Sequence, residues 1–227
     1  LQQSLPKMGR WGATGIIARI ETPQVAKTIL STGLPLIALD LTAEQLSPGH
    51  PLCETCEISP DSYQAGRMAA EHLLERGLRQ FAFAGVAEEV LWSSRRGEGF
   101  RVRLAEAGFS CHEYRLCELT QDRHWGMELA HLSKWLRGLP KPIGLLACDD
   151  DRGREVLEAC RAAELLVPED VAVVGVDNDE LLCDLSDPPL SSVALNAERG
   201  GYDAAALLDG LMSGRVTGTH RLLVPPT

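Results

Sequence analysis

Carboxylate side chains stand directly after three apolar runs of the sequence. Asp40 follows the first of these runs, Asp149 follows the second and Asp177 follows the third. If the runs are parallel strands, their carboxyl ends share an edge, and open α/β sheets bind ligands at that edge. Ionised carboxylates accept charge-assisted hydrogen bonds on both oxygens, which suits the hydroxyl groups of a sugar. The pattern therefore indicates a site for a small polyhydroxylated ligand.

Two other roles for these acidic residues stay open at this point. Asp150 and Asp151 stand at the start of a predicted helix, where a carboxylate can accept hydrogen bonds from the first free amides and act as a cap. A divalent cation also takes carboxylate oxygens, although the spacing here matches no calcium-binding loop. We expect capping and ligand contact to share these positions, and we expect no metal site.

Two arginines, Arg95 and Arg96, stand at the start of the helix predicted over residues 97–107. Cations are disfavoured at the positive end of the helix dipole, so their position needs a reason. One explanation is a fork of guanidinium donors aimed at ligand hydroxyls; the other is a surface ion pair with Glu98. Trp92 lies just before them, in a predicted loop, where an indole could stack on a sugar ring or fold over the core.

Signatures of enzyme chemistry are missing from the sequence. It contains no nucleophile elbow, zinc-protease helix or phosphate loop, and its six histidines are scattered. The Gly-x-Gly of residues 97–99 follows no clean strand, which excludes a dinucleotide fingerprint. Cys53 and Cys56 have the spacing of two zinc ligands but lack a second pair or a histidine partner. We predict a protein that is not an enzyme and that holds no cofactor.

Apolar runs alternate with amphipathic stretches along the chain. Five runs are apolar throughout their length, which is typical of parallel strands covered on both faces; they are residues 15–18, 36–39, 81–84, 143–147 and 171–176. Helices are predicted over residues 63–76, 97–107, 124–136, 151–164 and 201–212. This alternation predicts an α/β fold of doubly wound parallel sheets with right-handed crossovers.

Two irregular stretches interrupt this rhythm. Residues 86–94 are long for a strand–helix turn, and residues 185–193 are rich in proline and serine. We interpret both as places where the chain crosses between two sheets, and we predict two lobes joined by hinge crossings with the ligand in the cleft between them. The predicted N-terminal lobe comprises residues 1–85 and 191–214, and the predicted C-terminal lobe comprises residues 86–190 and 215–227.

The composition narrows the class of protein. The chain has 227 residues, 44% of them hydrophobic and 24% charged, and its formal net charge is −10. Such an acidic surface repels phosphate backbones, so direct binding to DNA by this segment is not expected. No apolar run approaches the ~20 residues that span a bilayer, so no membrane association is predicted. The seven cysteines form no regular framework, which favours reduced thiols and a cytoplasmic location.

Several segments together resemble the sensor domain of the lactose/galactose repressor family, which shares its fold with periplasmic sugar-binding proteins. The two most specific are residues 167–178 (VPEDVAVVGVDN) and 188–193 (PPLSSV). The others are residues 61–66 (DSYQAG), 72–77 (HLLERG), 96–100 (RGEGF) and 147–150 (ACDD). The resemblance implies a periplasmic-binding-protein-like fold of type I and a role in sensing a small sugar.

The ligand contacts of that family, carried over position by position, fall on Asp61, Arg96, Asp149 and Asp177. Asp149 stands where the repressors commonly have asparagine. A closer similarity, to the sensor part of bacterial xylose operon regulators, adds Trp92 to this set. That similarity is carried by the pairing of Trp92 with Arg96 and by two further segments, residues 174–181 (VGVDNDEL) and 222–226 (LLVPP).

The resemblance also implies partners. It implies a sugar ligand, with D-xylose as the first candidate, association into a homodimer, and contact with DNA only through a domain outside this chain. The family's first strand and helix find no counterpart before Leu1, so we expect the chain to be a fragment. The main alternative is a periplasmic sugar-binding transport protein of the same fold, and the third is an enzyme acting on sugars.

Overall fold

Parallel strands and helices alternate through the computed structural model, which describes residues 12–86, 90–114 and 125–227. In chain order the elements in these ranges are β1 (Ile16–Arg19), α1 (Pro23–Leu30), β2 (Leu36–Leu39), β3 (Cys56–Pro60), α2 (Ser62–Glu75), β4 (Phe81–Ala84), α3 (Leu91–Glu106), β5 (His112–Tyr114), α4 (Trp125–Gly138), β6 (Ile143–Ala147), α5 (Asp150–Ala162), β7 (Val171–Asp177), α6 (Glu180–Leu185), β8 (Ser191–Ala194), α7 (Ala197–Met212) and β9 (Arg221–Val224). No helix in the described ranges has both the length and the apolar character needed to cross a membrane.

All five predicted strands and all five predicted helices are confirmed. Strand β6 shows why: its five residues are all buried, as expected for a parallel strand with helices on both faces. Helices α2, α3 and α7 end two residues before a glycine, whereas no glycine stands near the end of α5. Four helix starts are capped by an acidic residue or asparagine: Asp61, Asp149, Asp179 and Asn196. Strands β3, β5, β8 and β9 and helices α1 and α6 were not predicted.

The described part of the first compact unit comprises residues 12–60 and 196–224. Its four parallel strands lie in the order β1-β2-β3-β9. Helix α1 packs on one face, where Ile29 joins Leu36, and α7 packs on the other, where Leu207 joins Ile37. Leu36 and Ile37 thus serve opposite faces, because successive strand residues alternate across a sheet.

The second compact unit comprises residues 61–195 and 225–227. Its five parallel strands lie in the order β5-β4-β6-β7-β8. Helices α2 and α3 bury one face around Phe81 and Phe100, whereas α4 and α5 bury the other around Leu145 and Leu132. Both sheets are therefore doubly wound and parallel, as the sequence predicted.

The boundaries between the units differ from those predicted. The chain crosses after Pro60, after Leu195 and after Val224. Residues 61–85, predicted for the N-terminal lobe, belong to the second unit, because β4 pairs with β6. Most of residues 215–227, predicted for the C-terminal lobe, belong to the first unit, because β9 pairs with β3. The cause is that β3 and β9 each contain a charged residue, Glu57 and Arg221, so neither is an apolar run.

Candidate functional site

The carboxyl edge of three neighbouring strands in the second unit carries the candidate site. Strand β6 lies between β4 and β7. Asp177 is the last residue of β7, and Asp149 follows β6. Arg96 lies on α3, the helix that follows β4. The topology therefore brings a guanidinium and two carboxylates to one edge, where open α/β sheets bind their ligands.

Arg96 is the centre of the cluster. It is only 3% exposed. Its Nη2 donates to Oδ1 of Asp177 at 2.8 Å, and its Nη1 donates to the carbonyl oxygen of Cys148 at 2.5 Å. Its guanidinium carbon lies over the Trp92 ring, 4.8 Å from the ring centroid. Its Nε is also buried and has no hydrogen-bond acceptor among the described residues. A buried guanidinium held on three sides in this way has a fixed orientation.

Helix α3 begins earlier than predicted, and this changes two interpretations. Since it starts at Leu91, Trp92 lies on the helix rather than in a loop, half-buried against the α2–α3 face of the sheet. The Trp92 ring supports Arg96 by a cation–π contact. The arginines lie beyond the first turn, so they do not stand at the positive end of the helix dipole. Arg95 is exposed and pairs with Glu98 at 3.0 Å, the surface ion pair considered as its alternative role.

Asp177 presents a carboxylate that is fixed on one side and open on the other. Its side chain is 45% exposed although Arg96 holds Oδ1. Burial raises the pKa of this carboxyl to about 6, while the nearby Arg96 guanidinium acts to lower the pKa. The carboxylate is therefore mostly ionised at neutral pH and can accept hydrogen bonds from ligand hydroxyls.

Asp149 has the capping role that the sequence analysis left open for its two neighbours. It is the N-terminal cap of α5, and its Oδ1 accepts a hydrogen bond from the amide of Arg152 at 2.7 Å. Burial raises its pKa, which this hydrogen bond and the charge of Arg96 act to lower. Asp149 thus stands in the electrostatic field of the site while it caps a helix.

Asp61 also caps a helix, and the structure does not join it to the cluster around Arg96. Its Oδ1 accepts a hydrogen bond from the amide of Gln64 at 2.9 Å at the start of α2. Among the contacts of the described residues, none links Asp61 to Arg96 or Asp177. Helix α2 approaches helix α3 closely at Gly66 instead, where a Cβ would overlap the carbonyl oxygen of Arg96. Asp61 remains a predicted ligand contact.

Asp150 is the member of the acidic run whose role the sequence did not reveal. It is 2% exposed, and its two oxygens accept hydrogen bonds from the amide of Asp179 at 2.7 Å and from the hydroxyl of Ser192 at 2.5 Å. Asp151, by contrast, is exposed. The carbonyl of Cys148 and the hydroxyl of Ser192 were missed as well, because nothing in a sequence marks a backbone acceptor or a serine on a short unpredicted strand.

The described residues contain no group of three or more His, Cys, Asp or Glu side chains arranged to hold a metal ion. Cys53 and Cys56, the pair with zinc-ligand spacing, are free thiols. Burial raises the pKa of Cys148 and of Cys160 to about 12, so both thiols are protonated at neutral pH. Neutral buried thiols are poor nucleophiles.

Two doubly wound parallel sheets, with a charged pair at a carboxyl edge, define a ligand-binding domain of the periplasmic-binding type. The chain belongs to this family: residues 70–227 match the model of the periplasmic binding protein-like domain.

Among curated proteins, the chain is similar to the xylose operon regulatory protein of Escherichia coli strain K12. The two are 33% identical over 227 residues, which cover 98% of this chain and 56% of the regulator. The regulator of the same name from Haemophilus influenzae is 34% identical over 216 residues, covering 93% of this chain and 54% of the relative. The chain therefore spans about half the length of the curated relatives it matches.

Among solved structures, a xylose-binding transcription activator, xylR, superposes with a TM-score of 0.80 at 33% identity. The match covers 94% of this chain and 56% of the activator. The resemblance to regulators of sugar operons, and to xylose regulators among them, is thereby confirmed.

Proposed function

We propose that this chain is the sugar-sensing domain of a bacterial transcriptional regulator and that D-xylose is its ligand. The observation that carries the proposal is the Arg96–Asp177 pair at the carboxyl edge of the second unit's sheet. A fixed guanidinium orients a carboxylate whose remaining surface is open, and a carboxylate so held accepts hydrogen bonds from vicinal hydroxyls with defined geometry. The 33% identity to a structure described as a xylose-binding activator supports the choice of sugar.

Five residues are proposed to contact or to support the ligand: Asp61, Trp92, Arg96, Asp149 and Asp177. All five belong to the second unit. Asp177 accepts hydrogen bonds from hydroxyls, and Arg96 keeps its carboxylate in place. Asp149 adds a second carboxylate in the same field, and Trp92 supports Arg96 from below its guanidinium plane.

The rest of the regulator's action is proposed from its relatives. A sugar that binds one conformation of the protein more tightly than another shifts the equilibrium between the two conformations by that difference in binding free energy. A sensor requires such a shift. We propose that the shift reaches DNA through a domain outside this chain, that the regulator works in the cytoplasm, and that it acts as a homodimer. The curated relatives are transcriptional regulators, which supports this reading over a transport protein or a sugar enzyme.

Isothermal titration calorimetry of the purified domain against a panel of pentoses and hexoses tests the proposal. We expect saturable binding of D-xylose that is abolished or greatly weakened in Asp177→Ala and in Arg96→Ala. Arg95→Ala is the matched control, since Arg95 is the exposed neighbour of the same residue type, and it should bind like the unmodified domain. If no sugar binds to a demonstrably folded domain, the sugar-sensing function is refuted.

A further inference from the structure

The turn that follows β7 has an unusual backbone. Asp177 has a φ of 116° and Asn178 a φ of 55°. Both values lie in the left-handed region, where glycine is at ease and other L-residues carry a conformational cost. Two such residues in succession need outside support. The first of them is the aspartate that Arg96 holds, so the shape of this turn decides where the Asp177 carboxylate lies.

One buried carboxylate supplies that support. Oδ2 of Asp150 accepts a hydrogen bond from the amide of Asp179 at 2.7 Å. Its Oδ1 accepts from the hydroxyl of Ser192 at 2.5 Å, and Oγ of Ser192 in turn accepts from the amide of Asn178 at 3.0 Å. The two amides that follow Asp177 are therefore both tied to Asp150, one directly and one through Ser192.

The carboxylate fits its place closely. Gly175, in β7, faces Asp150, and a Cβ at this glycine would overlap Oδ1 of Asp150. Gly175 is also the register partner of Ser192 across β7 and β8. Asp150 is the first residue of α5, and the absence of a side chain at Gly175 lets its carboxylate reach the backbone of the turn after β7.

We propose that Asp150 is a positioning residue, which does not contact the ligand but holds the turn after β7 so that Asp177 meets Arg96. Its role in ligand binding rests on the proposed function. Its role in fixing Asp177 does not, and the two parts can be tested separately.

The first arm measures D-xylose affinity by calorimetry. In Asp150→Asn the negative charge is lost, and one oxygen becomes an NH₂ group. Against the Asp179 amide this group would oppose a donor, and against the Ser192 hydroxyl it leaves only neutral hydrogen bonds, so both ties to the turn weaken. We expect the dissociation constant to rise about tenfold, as for the loss of one buried hydrogen bond to a charged group. Asp151→Asn is the matched control, because it makes the same change one residue along the same helix on a side chain that is 72% exposed. It should stay within about twofold.

A second substitution distinguishes positioning from general damage. Asn178→Gly places a glycine where φ is already 55°, so the turn keeps its shape at little cost without the carboxylate. We expect Asp150→Asn combined with Asn178→Gly to recover most of the lost affinity. If Asp150 served the stability of the fold alone, the folded Asp150→Asn domain would bind D-xylose like the unmodified one, and there would be no lost affinity to recover.

The second arm needs no sugar. Carbon-13 NMR titration of the Asp177 carboxyl in the ligand-free domain reports its surroundings, with a pKa of about 6 expected for the unmodified chain. Asp150→Asn should lower this pKa because a negative charge is removed and because hydration of a displaced Asp177 outweighs the weaker contact with Arg96, which acts in the opposite direction. The double variant lacks the same charge, so a return of the pKa toward about 6 there reports recovered geometry alone.

The outcomes are separable. If Asp150→Asn folds and matches Asp151→Asn in both arms, or if Asn178→Gly rescues neither the affinity nor the pKa, the positioning role is overturned. If even the unmodified chain fails to bind D-xylose, the proposed function fails and the titration arm alone decides the role of Asp150. Should Asp150→Asn not fold, Ser192→Ala removes the bridge to the Asn178 amide together with one donor to Asp150, but keeps the Asp150 charge and its bond to the Asp179 amide. We then expect a smaller rise of the dissociation constant and a smaller fall of the Asp177 pKa, through hydration alone.

Discussion

Replacing Arg96 by alanine is the most direct perturbation of the candidate site. The side chain is 3% exposed and makes two hydrogen bonds, to Asp177 at 2.8 Å and to the Cys148 carbonyl at 2.5 Å, besides lying over Trp92. Removing one partner of a fully buried ion pair costs about 3–5 kcal/mol. Asp177 is 45% exposed, so water can solvate its carboxylate once the guanidinium is gone, and the cost of the broken pair falls to about 2 kcal/mol.

The other contacts of Arg96 add to this figure. A cation–π contact removed from water contributes about 1–2 kcal/mol, and the Cys148 carbonyl loses a charge-assisted donor. We therefore expect Arg96→Ala to lower the free energy of unfolding by about 2–4 kcal/mol. D-xylose affinity should fall by at least about tenfold, because the Asp177 carboxylate loses the group that orients it.

Arg95→Ala provides the comparison that tests this reasoning. Arg95 is exposed and pairs with Glu98 on the surface, so its loss should change the free energy of unfolding by no more than about 0.5 kcal/mol. Both variants are measured by urea denaturation followed by far-UV circular dichroism, and by calorimetry with D-xylose. If Arg96→Ala is as stable as Arg95→Ala and binds sugar equally well, the buried pair does not organise the site and the argument from its geometry is refuted.

Three further predictions follow from the same geometry. Because burial raises the pKa of Asp177 from 3.8 to about 6, the stability gained from protonating this carboxyl is present in full below about pH 3.8 and is lost as the pH rises through about 6. D-xylose affinity uses the ionised form, so it should decrease below about pH 6, by a factor that approaches about ten for each further pH unit. Calorimetry from pH 5 to 8 that shows constant affinity would exclude this use of the carboxylate. Gly66→Ala should destabilise the domain by about 1–3 kcal/mol, because the new Cβ would push α2 away from the Arg96 carbonyl. Gly201→Ala on α7 is the comparison: its Cβ would meet no atom within 4 Å, so in the same denaturation assay it should stabilise the domain by about 0.5–1 kcal/mol. Asp149→Ala should cost about 1 kcal/mol through the lost cap, whereas Asp149→Asn should keep both the cap and measurable sugar binding; equal thermal stability of the two variants would contradict the capping role.

The sequence by itself determined the class of fold. Strands such as β6 are apolar through their whole length, as in a parallel sheet covered on both faces, and their alternation with amphipathic helices points to that architecture. It also placed Asp149 and Asp177 at strand ends, because the position of a carboxylate after an apolar run is a local property of the chain. Five of the helices were predicted for the same reason, since their amphipathic spacing and the glycines after α2, α3 and α7 are local features.

Tertiary structure decided how these residues are used. The pairing of Arg96 with Asp177 joins positions 81 residues apart, and no local pattern predicts which of two adjacent arginines faces the core. The ties from Asp150 to the turn after β7 depend on the register of β7 with β8 and on the missing Cβ at Gly175. The boundaries of the two units likewise depend on β9 pairing with β3. Local sequence predicts amphipathic helices and wholly apolar strands, because helical hydrogen bonds and hydrophobic periodicity are local. The hydrogen bonds of the strands, the sheet order and the side-chain partners join distant segments, so they are set by the packing of the whole chain.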